Sequence, residues 1–445
     1  MEFKEFSYNS LEEIIADSKS MNLDLYFSSN MDLFHRKVCV DGLTIPNSIA
    51  FHPMEGTDGN TDGSPGELTV RRYDRLSKGG AGLLWIEAVA VVPEGKVCPR
   101  QLMITRENIG KFAKLNEMII NNARKEFGDD FTPVRIMQLT HSGRFSKPQG
   151  YPAPVIAYHN PYIDKVRKID ENIKPVDNGY IEKLEEKFEE AAVLAYEAGF
   201  SGVDIKSCHR YFNSELLAGY TRKGKYGETF EGRTRFLLDT VDRIKSRLGS
   251  KFTVAVRLNI YDGIPYPYGW GVKKDNYLEY DLSEPLKLIR ILHEKGVNLV
   301  NITMGSPYYN PHVNRPSDKG EYIPGEHPLE GVARLVKGTG EIQRAFPGIA
   351  VVGTGYTWLR QFAPYLGAGM LEKGYAALIG FGRQIFAYPG FPRDLLGRGI
   401  LDKKKCCITC GKCVEIMRAG GPTGCAVKDS KVYGKIYKEY CMKTV

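Results

Sequence analysis

The chain has 445 residues, 42% of them apolar and 26% charged, with a formal net charge of +8. Those fractions belong to a folded globular protein and exclude a disordered or fibrous one. No run of about 18 apolar residues is present, which argues against a helical membrane span, and Met1–Lys19 is too acidic and polar for a signal peptide.

The first 40 residues read as an N-terminal extension. From Thr44 onward short apolar runs alternate with amphipathic stretches, the signature of βα units. Strands are predicted at Ser48–Pro53, Gly82–Glu87, Val134–Thr140, Gly202–Lys206, Thr253–Leu258, Leu299–Met304, Ile349–Gly353 and Ala376–Phe381. Helices are predicted between them at Arg106–Phe127, Tyr180–Ala198, Thr229–Leu248, Leu282–Lys295 and Glu330–Ala345. The clearest is Tyr180–Ala198, with Ile181, Leu184, Phe188, Ala191 and Ala195 on one face and Gly199 as its C-terminal stop. Strict alternation over residues 41–400 predicts an α/β fold, a (β/α)8 TIM barrel, with a doubly wound open sheet as the alternative. The Pro-, Tyr- and Gly-rich segments Ser142–Asn178 and Asn259–Tyr280 follow strands three and five, on the face where barrels build their sites.

Residues 401–445 are too few for a core of their own. They hold Cys407, Cys410, Cys413 and Cys425 in the spacing C-x2-C-x2-C-x11-C. Four thiolates can hold zinc or an iron–sulfur cluster. Three clustered cysteines with one remote one favour a [4Fe–4S] centre, which would organise the segment. Cys406 leaves the identity of the first ligand open. Cys39, Cys98 and Cys208 are scattered and the other six cysteines lie after Lys405, and a reducing cytoplasm is the expected compartment. The segment carries ten Lys/Arg against four Asp/Glu. Such a tail can serve nucleic acid, but offsetting a cluster's negative charge, or docking an acidic electron-transfer protein, explains it better. No nucleic acid or membrane partner is expected, and a homo-oligomer is compatible with the reading.

Several other residues carry chemistry. Gln138 ends strand three with an amide that both donates and accepts. Arg257 lies in an apolar strand, where an unpaired charge is costly. Gly353-Thr354-Gly355 and Gly380, Gly382 and Arg383 follow strands seven and eight, where backbone N–H groups bind phosphate. Lys206, His209 and Arg210 form a cationic group suited to a carbonyl, enolate or carboxylate, and the phenol of Tyr211 can donate a proton. The rival reading of Lys206 is a tether for a loop carboxylate such as Glu55 or Glu87.

Taken as an ordered set, several motifs resemble the old yellow enzyme superfamily. They are Asn47–Met54 (NSIAFHPM) with Glu55, Gln138–Arg144 (QLTHSGR), Gly202–Tyr211 (GVDIKSCHRY), Tyr226–Phe236 (YGETFEGRTRF) and the glycine turns with the cysteine cluster. Within it the chain is most similar to the iron–sulfur branch that contains 2,4-dienoyl-CoA reductase and trimethylamine dehydrogenase. The resemblance implies FMN, with Gln138 at its pyrimidine edge, Arg257 near N1/O2, the glycine turns and Arg383 at the phosphate, and Pro53, Met54, Glu55 and Ala88 against the ring. It implies reduction of an activated C=C bond, with electrons from NAD(P)H or from a ferredoxin, flavodoxin or flavoprotein through the cluster. Lys206 replaces the first of the family's paired substrate-gripping residues, and Arg210 replaces a glycine. Amine dehydrogenation of the trimethylamine dehydrogenase type is the nearest rival. A tRNA-binding dihydrouridine-synthase-like flavoprotein is a rival of another class.

Overall fold

Eight parallel strands close into a barrel in the computed structural model, which describes residues 2–320 and 322–442. A short antiparallel hairpin, β1 (Val38–Val40) and β2 (Leu43–Ile45), precedes the barrel strands. Those strands are β3 (Ile49–Phe51), β4 (Leu83–Ala90), β5 (Val134–Thr140), β6 (Gly202–Ile205), β7 (Thr253–Asn259), β8 (Leu299–Thr303), β9 (Ala350–Gly353) and β10 (Leu378–Phe381). Each pairs with the next, and β10 returns to β3. All eight lie on predicted strands, and every residue in them is buried. The runs are mostly apolar because barrel strands are covered on both faces, and the polar residues that interrupt them, such as Gln138, Asp204 and Arg257, are buried as well. The open-sheet alternative is thereby excluded.

The predicted helices stand within two or three residues of their expected ends, and three begin on side-chain caps, the helix Pro328–Ala345 on His327, which accepts from the Leu329 N–H at 3.1 Å. Asp177 accepts from the Tyr180 N–H, and Thr229 accepts from the Gly232 N–H. Ile181, Leu184, Phe188, Ala191 and Ala195 are buried, and Gly199 follows that helix with φ +80°.

Val40 and Ile45 of the hairpin pack with Ala50, Leu83, Val134, Ala255, Leu299 and Leu378 at the strand starts. The hairpin therefore plugs the N-terminal end of the barrel, and the expected boundary at residue 40 divides an element that belongs with the barrel. The opposite end is left open for a site.

The C-terminal segment, expected over 401–445 and described here to 442, lies against that open end. Thr423 donates its backbone N–H to the Gly56 carbonyl at 2.6 Å, and the Thr57 hydroxyl donates to the Gly421 carbonyl at 2.8 Å. Asp429 is gripped by Arg71 and Arg75 from the helix Glu67–Ser77. The same helix buries Arg72 between Asp58, at 2.6 Å, and Glu87. Glu87 lies where the register between β4 and β5 slips, and it also accepts the Gly56 N–H at 2.6 Å. Burial pushes its carboxyl up to about 7, against the pull of Arg72.

Removing Arg72 would leave two buried carboxylates without a counter-charge. Arg72→Met should cost about 3–5 kcal/mol, read from the urea-unfolding midpoint. A loss below about 1 kcal/mol would show that the network does not hold the loop.

Candidate active site

The main cavity, about 160 Å³, opens at the C-terminal ends of the barrel strands. It is lined by Pro53, Met54 and Glu55 after β3, Gln138 of β5, Lys206, His209 and Tyr211 after β6, and Arg257 of β7. Thr354 and Gly355 after β9, and Gly382 and Arg383 after β10, also line it. Most of the predicted site residues thus meet in one place.

Buried polar atoms without partners mark what the cavity accepts. Asp204 takes the Gln138 amide nitrogen at 2.6 Å, the Trp85 indole N–H at 2.9 Å and the Arg257 backbone N–H at 2.6 Å. Its carboxyl is pushed up to about 6 by burial, and these three donors pull against that. With its nitrogen committed to Asp204, Gln138 keeps Oε1 unpartnered, and Arg257 keeps Nε unpartnered. One acceptor and one cation side by side fit the N3–H and the N1/O2 region of a flavin pyrimidine. At the far end Gly355 takes φ +104°, a turn open to glycine, and frees the backbone beside Thr354 and Arg383. These residues therefore fit FMN, with Gln138 and Arg257 at the ring and the β9 and β10 turns at the phosphate.

Other expectations need correction. Arg210 does not reach the cavity: its side chain is fully buried, donating to Asp262 at 2.8 Å and to the Tyr158 hydroxyl at 2.7 Å. His209 and Arg210 both adopt left-handed backbone, φ +65° and +60°. That turn carries His209 to the cavity and Arg210 to its buried carboxylate, and the left-handed φ explains why a glycine suits the latter position. Lys206 lines the cavity but is ion-paired with Glu55 at 2.7 Å, so the tether reading holds and its charge is spent. Glu55 is thereby turned toward the lysine rather than reserved for a flavin ring. Gly353 ends β9 directly before its turn and Gly380 lies within β10, and neither is in the cavity lining. A Cβ at Gly380 would fall 2.3 Å from the His52 imidazole, so this glycine makes room for His52. Ala88 stays in the irregular stretch of β4, outside the lining.

His52, Tyr308 and Arg315 line the cavity as well. His52 accepts from the Asn301 amide at 3.1 Å and keeps Nε2 unpartnered. It stands in the quoted motif NSIAFHPM, directly before Pro53, and that place was its only signal. Tyr211 and Tyr308 share a hydrogen bond of 2.9 Å, and Tyr308 stacks on Phe145 with centroids 4.0 Å apart. The Lys206 ammonium lies 3.8 Å above the Tyr211 ring. Burial, then Glu55, holds the Tyr211 hydroxyl well above its ordinary value, and Tyr308 is pushed up to about 12 for the same reasons. His209 is held well below its ordinary value by burial and by Arg257 and Lys206, so it is neutral at physiological pH.

Cys407, Cys410, Cys413 and Cys425 ring a second, smaller cavity, with Lys412 and Lys428 on its wall. Cys406 is not among its lining; it accepts from the Gln384 amide at 3.6 Å and donates to the Asp402 carbonyl at 3.4 Å. The Cys407 sulfur accepts the Thr409 N–H at 3.4 Å and the Cys425 sulfur accepts the Lys428 N–H at 3.3 Å, contacts that suit thiolate ligands. The four cysteines share the lining of this one cavity, but among the described residues no three His, Cys, Asp or Glu are grouped as they would be round one metal ion. Arg383, Phe386 and Cys413 line both cavities and form the wall between them.

The chain belongs to the NADH:flavin oxidoreductase / NADH oxidase family, whose model matches residues 36–268. It is thus a member of the old yellow enzyme superfamily. The NADH oxidase of Thermoanaerobacter brockii is 26% identical over 83% of this chain, which spans 52% of that protein. The NADPH dehydrogenase of Bacillus pumilus is 30% identical over 60% of this chain and 71% of its own length. Among solved structures, 2-naphthoyl-CoA reductase superposes with a TM-score of 0.73 at 16% identity, over 92% of this chain and 58% of its own. The old yellow enzyme homologue of Zymomonas mobilis gives 0.62 at 19% identity, over 92% and 99%. Histamine dehydrogenase from Rhizobium sp. 4-9 gives 0.68 at 18% identity, over 89% and 52%. Among the described residues no helix is long and apolar enough to cross a membrane.

If Arg257 supports the flavin, Arg257→Met should weaken binding of reduced FMN more than of oxidised FMN. The flavin midpoint potential should then fall, because the buried cation favours the more anionic state. Unchanged potential and flavin content would show that Arg257 serves something else.

Proposed function

We propose that this chain is an FMN- and [4Fe–4S]-dependent ene-reductase acting on a C=C bond activated by a carbonyl group. The observation that carries the reading is the shared wall of Arg383, Phe386 and Cys413 between the flavin-shaped cavity and the four-cysteine cavity. Bound reduced flavin would supply hydride, and the cluster single electrons. The chain's residues supply the rest. Tyr211, kept protonated by burial and by Glu55, donates its proton to the carbon alpha to the carbonyl. Tyr308, hydrogen-bonded to it at 2.9 Å, resupplies that proton from the solvent side. Neutral His209, its Nε2 unpartnered, can donate to the carbonyl oxygen. Lys206, held by Glu55, positions the Tyr211 ring beneath its ammonium rather than gripping substrate.

NAD(P)H is supported as an electron donor by the names of the relatives. An acidic ferredoxin, flavodoxin or flavoprotein is supported by Lys412 and Lys428 on the cysteine cavity and by exposed Lys403, Lys404 and Lys405 beside it. The reading places the protein in the cytoplasm. Amine dehydrogenation is favoured by one observation. The pairing of Lys206 with Glu55 removes a repulsion from the cavity wall that carries Tyr211 and Tyr308, rings that could meet an alkylammonium ion.

Anaerobic mixing separates the two. Enones or enoates should reoxidise the dithionite-reduced flavin, and amines such as histamine should fail to reduce the oxidised flavin; the reverse pattern would establish the amine reading.

Anaerobically purified protein should carry about four iron and four labile sulfide per chain, and Cys413→Ser should lose the iron while retaining part of the FMN. Stoichiometric zinc without sulfide would refute the cluster.

Tyr211→Phe should slow flavin reoxidation by the alkene about 10²–10⁴-fold with substrate affinity retained. Reoxidation at the parent rate would move the donor role to Tyr308 or His209.

A further inference from the structure

His52 takes no part in moving protons or balancing charge in the cavity, yet several strands converge to hold its ring. It directly follows β3, is 2% exposed and lines the cavity. Its backbone N–H donates to the Phe381 carbonyl of β10 at 2.9 Å. Asn301, fully buried in β8, donates its side-chain amide to the His52 Nδ1 at 3.1 Å. A Cβ at Gly380 would collide with Cε1 and Nε2 of the imidazole, and one at Gly382 would lie 4.0 Å from the ring. The ring therefore reaches across β10 toward the turn that follows it.

This hold sets the proton. With Nδ1 accepting from the Asn301 amide, the imidazole carries its hydrogen on Nε2. Burial, then the charge of Arg257, keeps the ring well below its ordinary value, so it is neutral at physiological pH. The Gly353 and Gly380 backbones pull the other way and favour a proton on the ring, but neither carbonyl meets Nε2 in hydrogen-bond geometry. The Nε2–H is thus a buried donor without a partner among the described residues, on the wall of the cavity. A buried donor is costly to leave unmade, and a ligand's acceptor would satisfy it.

Its place says which acceptor. Gln138 and Arg257 stand at the ring end of the flavin-shaped cavity, and the turns after β9 and β10 at the phosphate end. His52 lies between them, with Arg257 acting on it from one side and Gly380 and Gly382 against it on the other. Between the ring and the phosphate of FMN runs the ribityl chain, a polyol whose hydroxyls need partners where water is excluded. We propose that His52 binds this sugar-alcohol chain, donating its Nε2–H to a ribityl hydroxyl oxygen, with Asn301 as the positioning residue that fixes the donor. This rests on the FMN reading of the cavity and on no reading of the substrate. The rival is a packing role, in which the imidazole only fills the space that Gly380 leaves.

The test follows flavin release from the whole chain, loaded either with FMN or with an analogue carrying a phosphopentyl chain in place of phosphoribityl. Release is read from the return of flavin fluorescence on dilution. His52→Phe keeps a ring and loses the donor. It should release FMN about 10- to 100-fold faster, while the analogue leaves at the parent rate. His52→Gln retains an N–H and should recover part of the loss. Asn301→Leu lets the proton move to Nδ1 and should speed the release of FMN alone, by a smaller factor. Each variant is judged on the ratio of its two flavins, so a general loosening of the fold cancels. Equal acceleration of both flavins in His52→Phe would assign the residue to packing and overturn the proposal, as would no acceleration of either. Failure of the cofactor reading looks different: the parent chain then retains neither flavin, and the assignment of His52 falls with it.

Discussion

The buried charge network of Arg72, Asp58 and Glu87 is the constraint on which the site depends. It fixes the strand-to-helix connection after β3, because Asp58 lies in that connection and Glu87 in the irregular stretch of the neighbouring strand. The four residues Glu55 to Asp58 then have three attachments in close succession. Glu55 holds the active-site lysine, Gly56 and Thr57 hold the cysteine segment, and Asp58 holds the barrel. A buried ion group of this kind adds little net stability over a well-packed apolar core, but breaking it is expensive. Its effect is to set one arrangement of the cysteine segment over the cavity.

The cavity's electrostatics follow from how its cations are shared out. Glu55 neutralises Lys206, and Asp262 takes Arg210 out of the cavity. Asp204 spends its hydrogen-bonding capacity on Gln138, Trp85 and the Arg257 backbone, so the Arg257 side chain keeps its own charge. Arg257, Arg315 and Arg383 remain to face whatever anions enter. Such a cavity suits an anionic cofactor and an electron-rich substrate, and it keeps His209 neutral. The two tyrosines complete it with protons that burial prevents from being lost.

The barrel was legible because each strand is a short, mostly apolar run bounded by turn residues, as at Val134–Thr140, where prediction and structure coincide. The hairpin Val38–Ile45 was not, since three-residue strands carry no period. The helix Glu67–Ser77 was missed because its sequence, ELTVRRYDRLS, is polar, and its buried face includes Arg72. The site was legible as a set of residues but not as a set of roles. Lys206 meets Glu55, 151 residues away, which the sequence offered only as a rival reading, and Arg210 meets a carboxylate 52 residues away that no local pattern announces. Arg315 sits in a loop without periodicity, brought to the cavity only by closure of the barrel. Cys406 and Cys407 are indistinguishable by spacing; backbone direction alone turns the second toward the cavity that the other three cysteines line.

The central claim is that one wall joins two redox sites into a single electron store. Stopped-flow mixing of the fully reduced holoprotein with an activated alkene, followed at wavelengths separating flavin from cluster, tests it most directly. The account predicts that the two chromophores reoxidise together, the cluster refilling the flavin until both are spent. A flavin that reoxidises once and stays oxidised beside a cluster that remains reduced would contradict it.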